Sequence, residues 1–166
     1  MTTIATRNAH ILLRRALPAD AGLMLTFVQK LADFQRMPND VTSTADSLRR
    51  LLDTGRSEAV FALYDGVAVG FMAFSQTSSV FSGRSGLFID AFLLDATVRH
   101  TGLGKMMMAF LAQEAAARDC QMLEWGCLDW NAPALAFYQG LGAYCLDTMR
   151  IYRLAPDRMQ VLADGF

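Results

Sequence analysis

The sequence predicts a single mixed α/β domain over residues 1–166, a mostly antiparallel sheet flanked by helices. Three observations predict it. Apolar residues recur at helical spacing in some stretches and in strand-like runs in others. A helix pattern at 102–118 separates two apolar strands at 87–94 and 122–128, and such a connection implies a parallel pair. Hairpin signals upstream imply antiparallel neighbours in the same sheet.

Residues 11–15 run from apolar to basic and read as a strand. Pro18 and Asp20 then supply helix-start chemistry, and Leu23, Phe27, Leu31 and Phe34 carry the helix to about Arg36. Thr42-Ser43-Thr44 offers N-caps for a second helix through Leu48, Leu51 and Leu52, which Gly55 ends. Residues 59–64 and 67–74 make a hairpin about Asp65-Gly66, a pair suited to the positive φ of a type I′ turn. The polar stretch 75–86 reads as a long hairpin loop and 87–94 as the third long strand. Leu103, Met106, Met107, Phe110, Leu111 and Ala115 share one helix face within 102–118. The strand at 122–128 is followed by a short helix at 134–141, one or two strands within 144–154, and a last helical turn opened by Pro156. There is no internal repeat and no linker.

Composition narrows the function. The chain is 53% hydrophobic and 19% charged, which excludes intrinsic disorder. Its 15 basic and 16 acidic residues give a formal net charge of −1, without the basic surplus that nucleic-acid binding needs. No run is long enough to span a membrane, and residues 1–9 lack the apolar core of a secretory signal. Cys120, Cys127 and Cys145 read as reduced thiols of a cytoplasmic protein. His10 and His100 stand apart with no ligand spacing, so no metal site is expected.

Two segments carry chemistry. Arg99-His100-Thr101-Gly102-Leu103-Gly104 lies where a strand gives way to a helix. Its glycines let backbone approach a ligand, and the free amides of the helix start attract an anion such as a pyrophosphate. The same glycines also suit a plain tight turn. A Walker loop needs Ser or Thr after Gly104-Lys105 and finds Met106, and a dinucleotide fingerprint finds Met107 in place of its third glycine. The second segment is Trp130-Asn131-Ala132-Pro133-Ala134-Leu135-Ala136-Phe137-Tyr138. Asn131 and Pro133 start a helix, and the Tyr138 phenol, with a reference pKa of ~10, suits protonation of a departing thiolate. Phe137 and Tyr138 also read as ordinary core aromatics. Cys127 is best read as a small buried hydrophobe.

R-x-x-G-x-G followed by N-x-P-x-x-x-F-Y, one helix and one strand downstream, resembles the GCN5-related N-acetyltransferases (GNAT). The likeness runs from Leu13-Arg14-Arg15-Ala16 to the last expected strand. It extends to the spermidine/spermine and thialysine acetyltransferases, whose L-A-K-Y-E is similar to Leu31-Ala32-Asp33-Phe34-Gln35 and whose E-W-N-E-P is similar to Asp129-Trp130-Asn131-Ala132-Pro133. The resemblance implies a central parallel pair of strands that splay apart, with acetyl-CoA as co-substrate between them. The pantetheine would lie on Phe92, Leu93 and Leu94, and the pyrophosphate on Arg99, His100, Thr101, Gly102, Leu103, Gly104 and Lys105. Asn131, Ala134 and Phe137 would complete the cofactor site. Tyr138 would be the general acid and Asp90 the base, acting through water.

Phe34, Gln35, Asp90 and Asp147 would line the acceptor pocket. The family's Tyr-Glu pair is Phe34-Gln35 here, which removes an anchor for a distal ammonium, and a family Ser is Ala134. The expected substrate is therefore a small cationic amine, diamine- or lysine-like, rather than a long polyamine. A homodimer is expected by resemblance. Acetylation of protein N-termini or lysines, and acyl-CoA binding without catalysis, are the alternatives.

Overall fold

Six strands in sequence order make one sheet in the computed structural model, which describes residues 3–166. The strands are β1 (Thr3–Ala5), β2 (Ile11–Arg15), β3 (Glu58–Tyr64), β4 (Val67–Ser79), β5 (Arg84–Leu94) and β6 (Met122–Trp125). Neighbours pair antiparallel from β1 to β5, whereas β5 and β6 run parallel, as the intervening helix requires. The helices are α1 (Ala21–Phe34), α2 (Ala45–Asp53), α3 (Leu103–Ala117), α4 (Ala132–Gly140) and α5 (Pro156–Asp164). The described chain divides into two compact units, one ending at Trp130 and the other running from Asn131 to Phe166.

Local chemistry sets the boundaries. Thr44 Oγ1 accepts from Ser47 N at 3.2 Å while Ser47 Oγ accepts from Thr44 N at 2.9 Å, a reciprocal cap that starts α2. Asp65 and Gly66 take φ of 46° and 83°, the left-handed pair that turns β3 into β4. Against one face of the sheet, α1 and α2 bury Phe27, Leu48, Phe61, Phe71, Ala73 and Leu93. The rings of Phe27, Phe61 and Phe71 have centroids 5.5 to 5.8 Å apart. On the opposite face a β-carbon at Gly70 would sit 3.3 Å from Met107 Sδ, so α3 lies close over β4. Gly86, the first residue of the β5–β6 ladder, would bring a β-carbon within 2.9 Å of Met122 Cβ. The two strands approach more closely than a side chain permits.

Charge pairs tie the edges together. Asp20 accepts from Arg14 Nη1 and Nη2 at 2.7 and 2.9 Å and from Leu17 N at 2.7 Å, and the Arg14 guanidinium holds its carboxyl below the usual range. Burial alone would raise Glu114, but hydrogen bonds from Arg15 and Arg118 outweigh it and lower the group. Both carboxyls therefore contribute stability that is complete above the unfolded carboxylate range near pH ~4 and is lost as pH falls through their lower folded values. Thermal melts between pH 5 and pH 2 are expected to show the midpoint falling, with a shallower fall in Asp20→Asn. An unchanged slope in that variant would remove Asp20 from the acid response.

Five expectations change. The segment 75–86 is mostly strand: Ser75 to Ser79 pair with Phe88 to Arg84, leaving a turn at 80–83. These residues extend past the apolar core, so backbone bonds hold them and no apolar period announces them. The strand at 122–128 stops at Trp125, where its pairing with β5 ends. No strand forms among the described residues of 144–154, and Tyr144, Ile151 and Tyr152 stand 86%, 85% and 88% exposed. The parallel pair accordingly lies at one end of the six-stranded sheet. The turn expected at Pro156 is a nine-residue helix.

Candidate active site

The β4–β5 ladder pairs Ala73 with Ala91 and Phe74 with Ile89, so Asp90 has no partner across the strands. It is the extra residue of a β-bulge, a device that re-aims a side chain. The bulge also exchanges faces. Ala91 and Leu93 belong with Phe27, Phe61 and Phe71, whereas Ile89 is paired with Phe74, whose ring carries the Arg118 guanidinium at 5.8 Å. Asp90 accepts a 3.4 Å hydrogen bond from Ser75 Oγ. Desolvation outweighs that bond and holds the carboxyl above its usual range. A raised carboxyl is a better proton acceptor than an ordinary one.

The parallel ladder ends at Ile89 and Trp125, while β5 continues through Phe92, Leu93 and Leu94. Residues 95–102 then curl into α3. Asp95 N donates to Val69 O at 2.9 Å, its carboxylate pairs with Lys30 Nζ at 3.1 Å, and Arg99 Nε donates to Leu94 O at 3.3 Å. Thr101 Oγ1 donates to Val98 O at 2.7 Å. His100 and Gly102 both take positive φ, 63° and 87°. The first amide of this turn to reach a helical carbonyl is Met106 N, on Gly102 O at 3.0 Å. Leu103, Gly104 and Lys105 thus present amides without intrahelical acceptors, beside a Gly102 with open space where a β-carbon would be.

Phe34, expected near the acceptor, meets Arg99 of this loop: the guanidinium carbon lies 5.0 Å from the ring centroid. Trp130 adds a second ring 6.2 Å from Phe34 and carries the Arg36 guanidinium at 5.1 Å. Gln35 caps the end of α1. These groups form one aromatic and cationic cluster in the first unit.

In the second unit, Asn131 Oδ1 accepts from Ala134 N at 3.4 Å and starts α4, with Pro133 in its first turn. Phe137 and Tyr138 follow on the helix, both half-buried, with ring centroids 5.3 Å apart. Asp147 is exposed in the irregular segment after α4. Cys127, at the end of the first unit, has its thiol pushed up by burial and donates to Leu128 O at 3.6 Å. A neutral thiol is a poor nucleophile.

Residues 27–143, well over half of the chain, match the model of the acetyltransferase (GNAT) family. The chain belongs to that family. This GNAT chain is 30% identical over 100 residues to an L-ornithine N5-acetyltransferase of Arabidopsis thaliana, covering 60% of the chain and 44% of that protein. It is 27% identical over 121 residues to a thialysine N-epsilon-acetyltransferase of Caenorhabditis elegans, covering 73% and 75% respectively. Among solved structures, an integron cassette protein from the mobile metagenome of V. cholerae superposes with a TM-score of 0.76 at 18% identity, over 94% of this chain and 99% of that one. The last likeness bears on the fold alone. No helix among the described residues is long and apolar enough to cross a membrane.

Sequence reasoning singles out Asp90 and the glycine turn of this GNAT chain but not Ser75, Arg36 or the Phe34–Trp130 pair. Ser75 lies in a stretch read as loop. Trp130 sits in a motif whose signal is carried by Asn131 and Pro133, and nothing local marks Arg36 as its neighbour.

Proposed function

We propose that the protein moves an acetyl group from acetyl-CoA to the primary amine of a small cationic acceptor by direct attack. The observation that carries this reading is the turn at His100 and Gly102. Its two positive-φ residues leave the amides of Leu103, Gly104 and Lys105 ready for a pyrophosphate. Arg99 and Thr101 complete that loop, the backbone of Phe92, Leu93 and Leu94 receives the pantetheine, and Asn131, Ala134 and Phe137 flank the coenzyme. The bound thioester supplies the acetyl group.

Phe34, Gln35, Asp90 and Asp147 are the residues assigned to acceptor binding. An alkylammonium must lose a proton before its nitrogen attacks. Asp90 takes that proton through water, and its upward shift supports the role. As the C–N bond forms and the C–S bond breaks, Tyr138 gives its phenolic proton to the departing thiolate, and the second proton shed by the nitrogen as it becomes an amide returns through water to the phenolate. No cysteine nucleophile is needed, in keeping with the neutral thiol of Cys127.

Coenzyme A release measured across amines, amino acids and short peptides tests the reaction. Release with small diamines or lysine-like amino acids is expected. Release only with peptide N-termini would make the protein a protein acetyltransferase, and none with any amine would leave an acyl-CoA binder.

The active form is a homodimer. The large apolar side chains of Tyr144, Met149, Ile151 and Tyr152, each exposed in the second unit, support this. Sedimentation at micromolar concentration is expected to give twice the 18.3 kDa chain mass, and a species of that single mass alone would refute it. A cytoplasmic location fits an odd count of three cysteines with no C-x-x-C spacing.

A further inference from the structure

Four helices end in the same way, with a left-handed residue whose amide and whose successor's amide bond back to the last turn. After α2 that residue is Gly55, whose N reaches Leu52 O at 3.2 Å while Arg56 N reaches Leu51 O at 3.1 Å. After α4 it is Gly142, and after α3 it is Asp119, a residue type that tolerates this conformation. After α1 it is Arg36. Its φ is 62°, its N bonds to Asp33 O at 3.1 Å, and Met37 N bonds to Ala32 O at 2.8 Å. Glycine is the unstrained choice for such a position, so the arginine carries a local cost for its side chain.

That side chain is held over Trp130, its guanidinium carbon 5.1 Å from the ring centroid. Trp130 is 44% exposed and adjoins Phe34, itself 38% exposed. Arg14, Arg15, Arg49 and Arg118 are each paired with a carboxylate, but among the described residues Arg36 is not. A guanidinium held over an aromatic face by cation–π attraction still has N–H donors to offer, and they match a carboxylate with two parallel hydrogen bonds. Gln35, next in the chain, is neutral and does not compete for it.

We infer that Arg36, seated on Trp130, is a binding subsite for the carboxylate of an amino-acid acceptor. The inference rests on the acetyl-transfer reading above and narrows its substrate class. A basic amino acid is preferred over the diamine that carries the same amine tail without the carboxylate.

The test compares L-ornithine with 1,4-diaminobutane, and L-lysine with 1,5-diaminopentane, by coenzyme A release from the full chain. Wild type is expected to favour each amino acid. Arg36→Gln and Arg36→Gly are expected to lose roughly 10–100-fold in kcat/KM for the amino acids, mainly through KM, the range for hydrogen bonds to a charged group. Use of the diamines should change less than about twofold, and the acetyl-CoA Kd from titration should hold. Because glycine suits φ of 62°, Arg36→Gly should melt no lower than wild type, which separates lost recognition from lost folding. Equal losses for amino acid and diamine, a weakened acetyl-CoA Kd, or a wild type indifferent to the carboxylate would each overturn the subsite and leave the acetyl-transfer reading standing. Release with neither kind of acceptor would overturn the small-amine reading itself, and the subsite with it.

Discussion

Tyr138→Phe is expected to bind acetyl-CoA as wild type does and to turn over roughly 10²–10⁴-fold more slowly, the contribution of a positioned acid. The change removes one oxygen and keeps the ring that lies 5.3 Å from Phe137, so α4 should keep its packing. The loss should appear in kcat, since in the proposed role the phenol acts only as the C–S bond breaks. Stopped assays of coenzyme A release and calorimetric titration of acetyl-CoA separate the two quantities. Unchanged kcat would mean that water or another group protonates the thiolate.

Gly102→Glu is expected to weaken acetyl-CoA binding by more than about 100-fold, which corresponds to about 2.7 kcal/mol. Space exists for the side chain, because nothing lies within 4 Å of the β-carbon position. The carboxylate would occupy the amides of Leu103, Gly104 and Lys105 and repel an incoming phosphate. At φ of 87° any side chain also strains the backbone by roughly 1–2 kcal/mol. Gly102→Ala carries the same strain without the charge and serves as the comparison. A folded Gly102→Glu with wild-type affinity would sever the turn from the pyrophosphate.

Much of the fold is legible because local chemistry agrees with it. Thr44, Asp65-Gly66 and Asn131 cap or turn the chain where the sequence puts them, and the parallel β5–β6 pair follows from α3 lying between two apolar strands. The arms beyond Ser75 are not legible, since their order comes from backbone pairing outside the core. Residues 144–154 carry a strand-like composition but no ladder among the described residues, and composition alone cannot supply a partner strand. Within the site, the glycine turn announces itself through Gly102 and Gly104. Asp90 is recognisable by resemblance, but its bulge depends on register with β4. The Arg36–Trp130 contact joins residues nearly a hundred positions apart, a distance no local pattern spans.

Leu87, Ile89, Ala91 and Leu93 look like one uninterrupted alternating strand, yet the extra residue at Asp90 divides them between two layers of helices. The side-chain identity at position 90 and the mere presence of a residue there are consequently separate properties. Replacing Asp90 changes chemistry at an exposed point and leaves both layers filled. Deleting it closes the bulge and rotates one half of β5, so that residues meant for one layer point into the other. Position 90 should tolerate nearly any side chain as far as folding goes, and should not tolerate being skipped. A lineage drifting away from acetyl transfer could lose the carboxylate with ease while the count of residues in β5 stayed fixed.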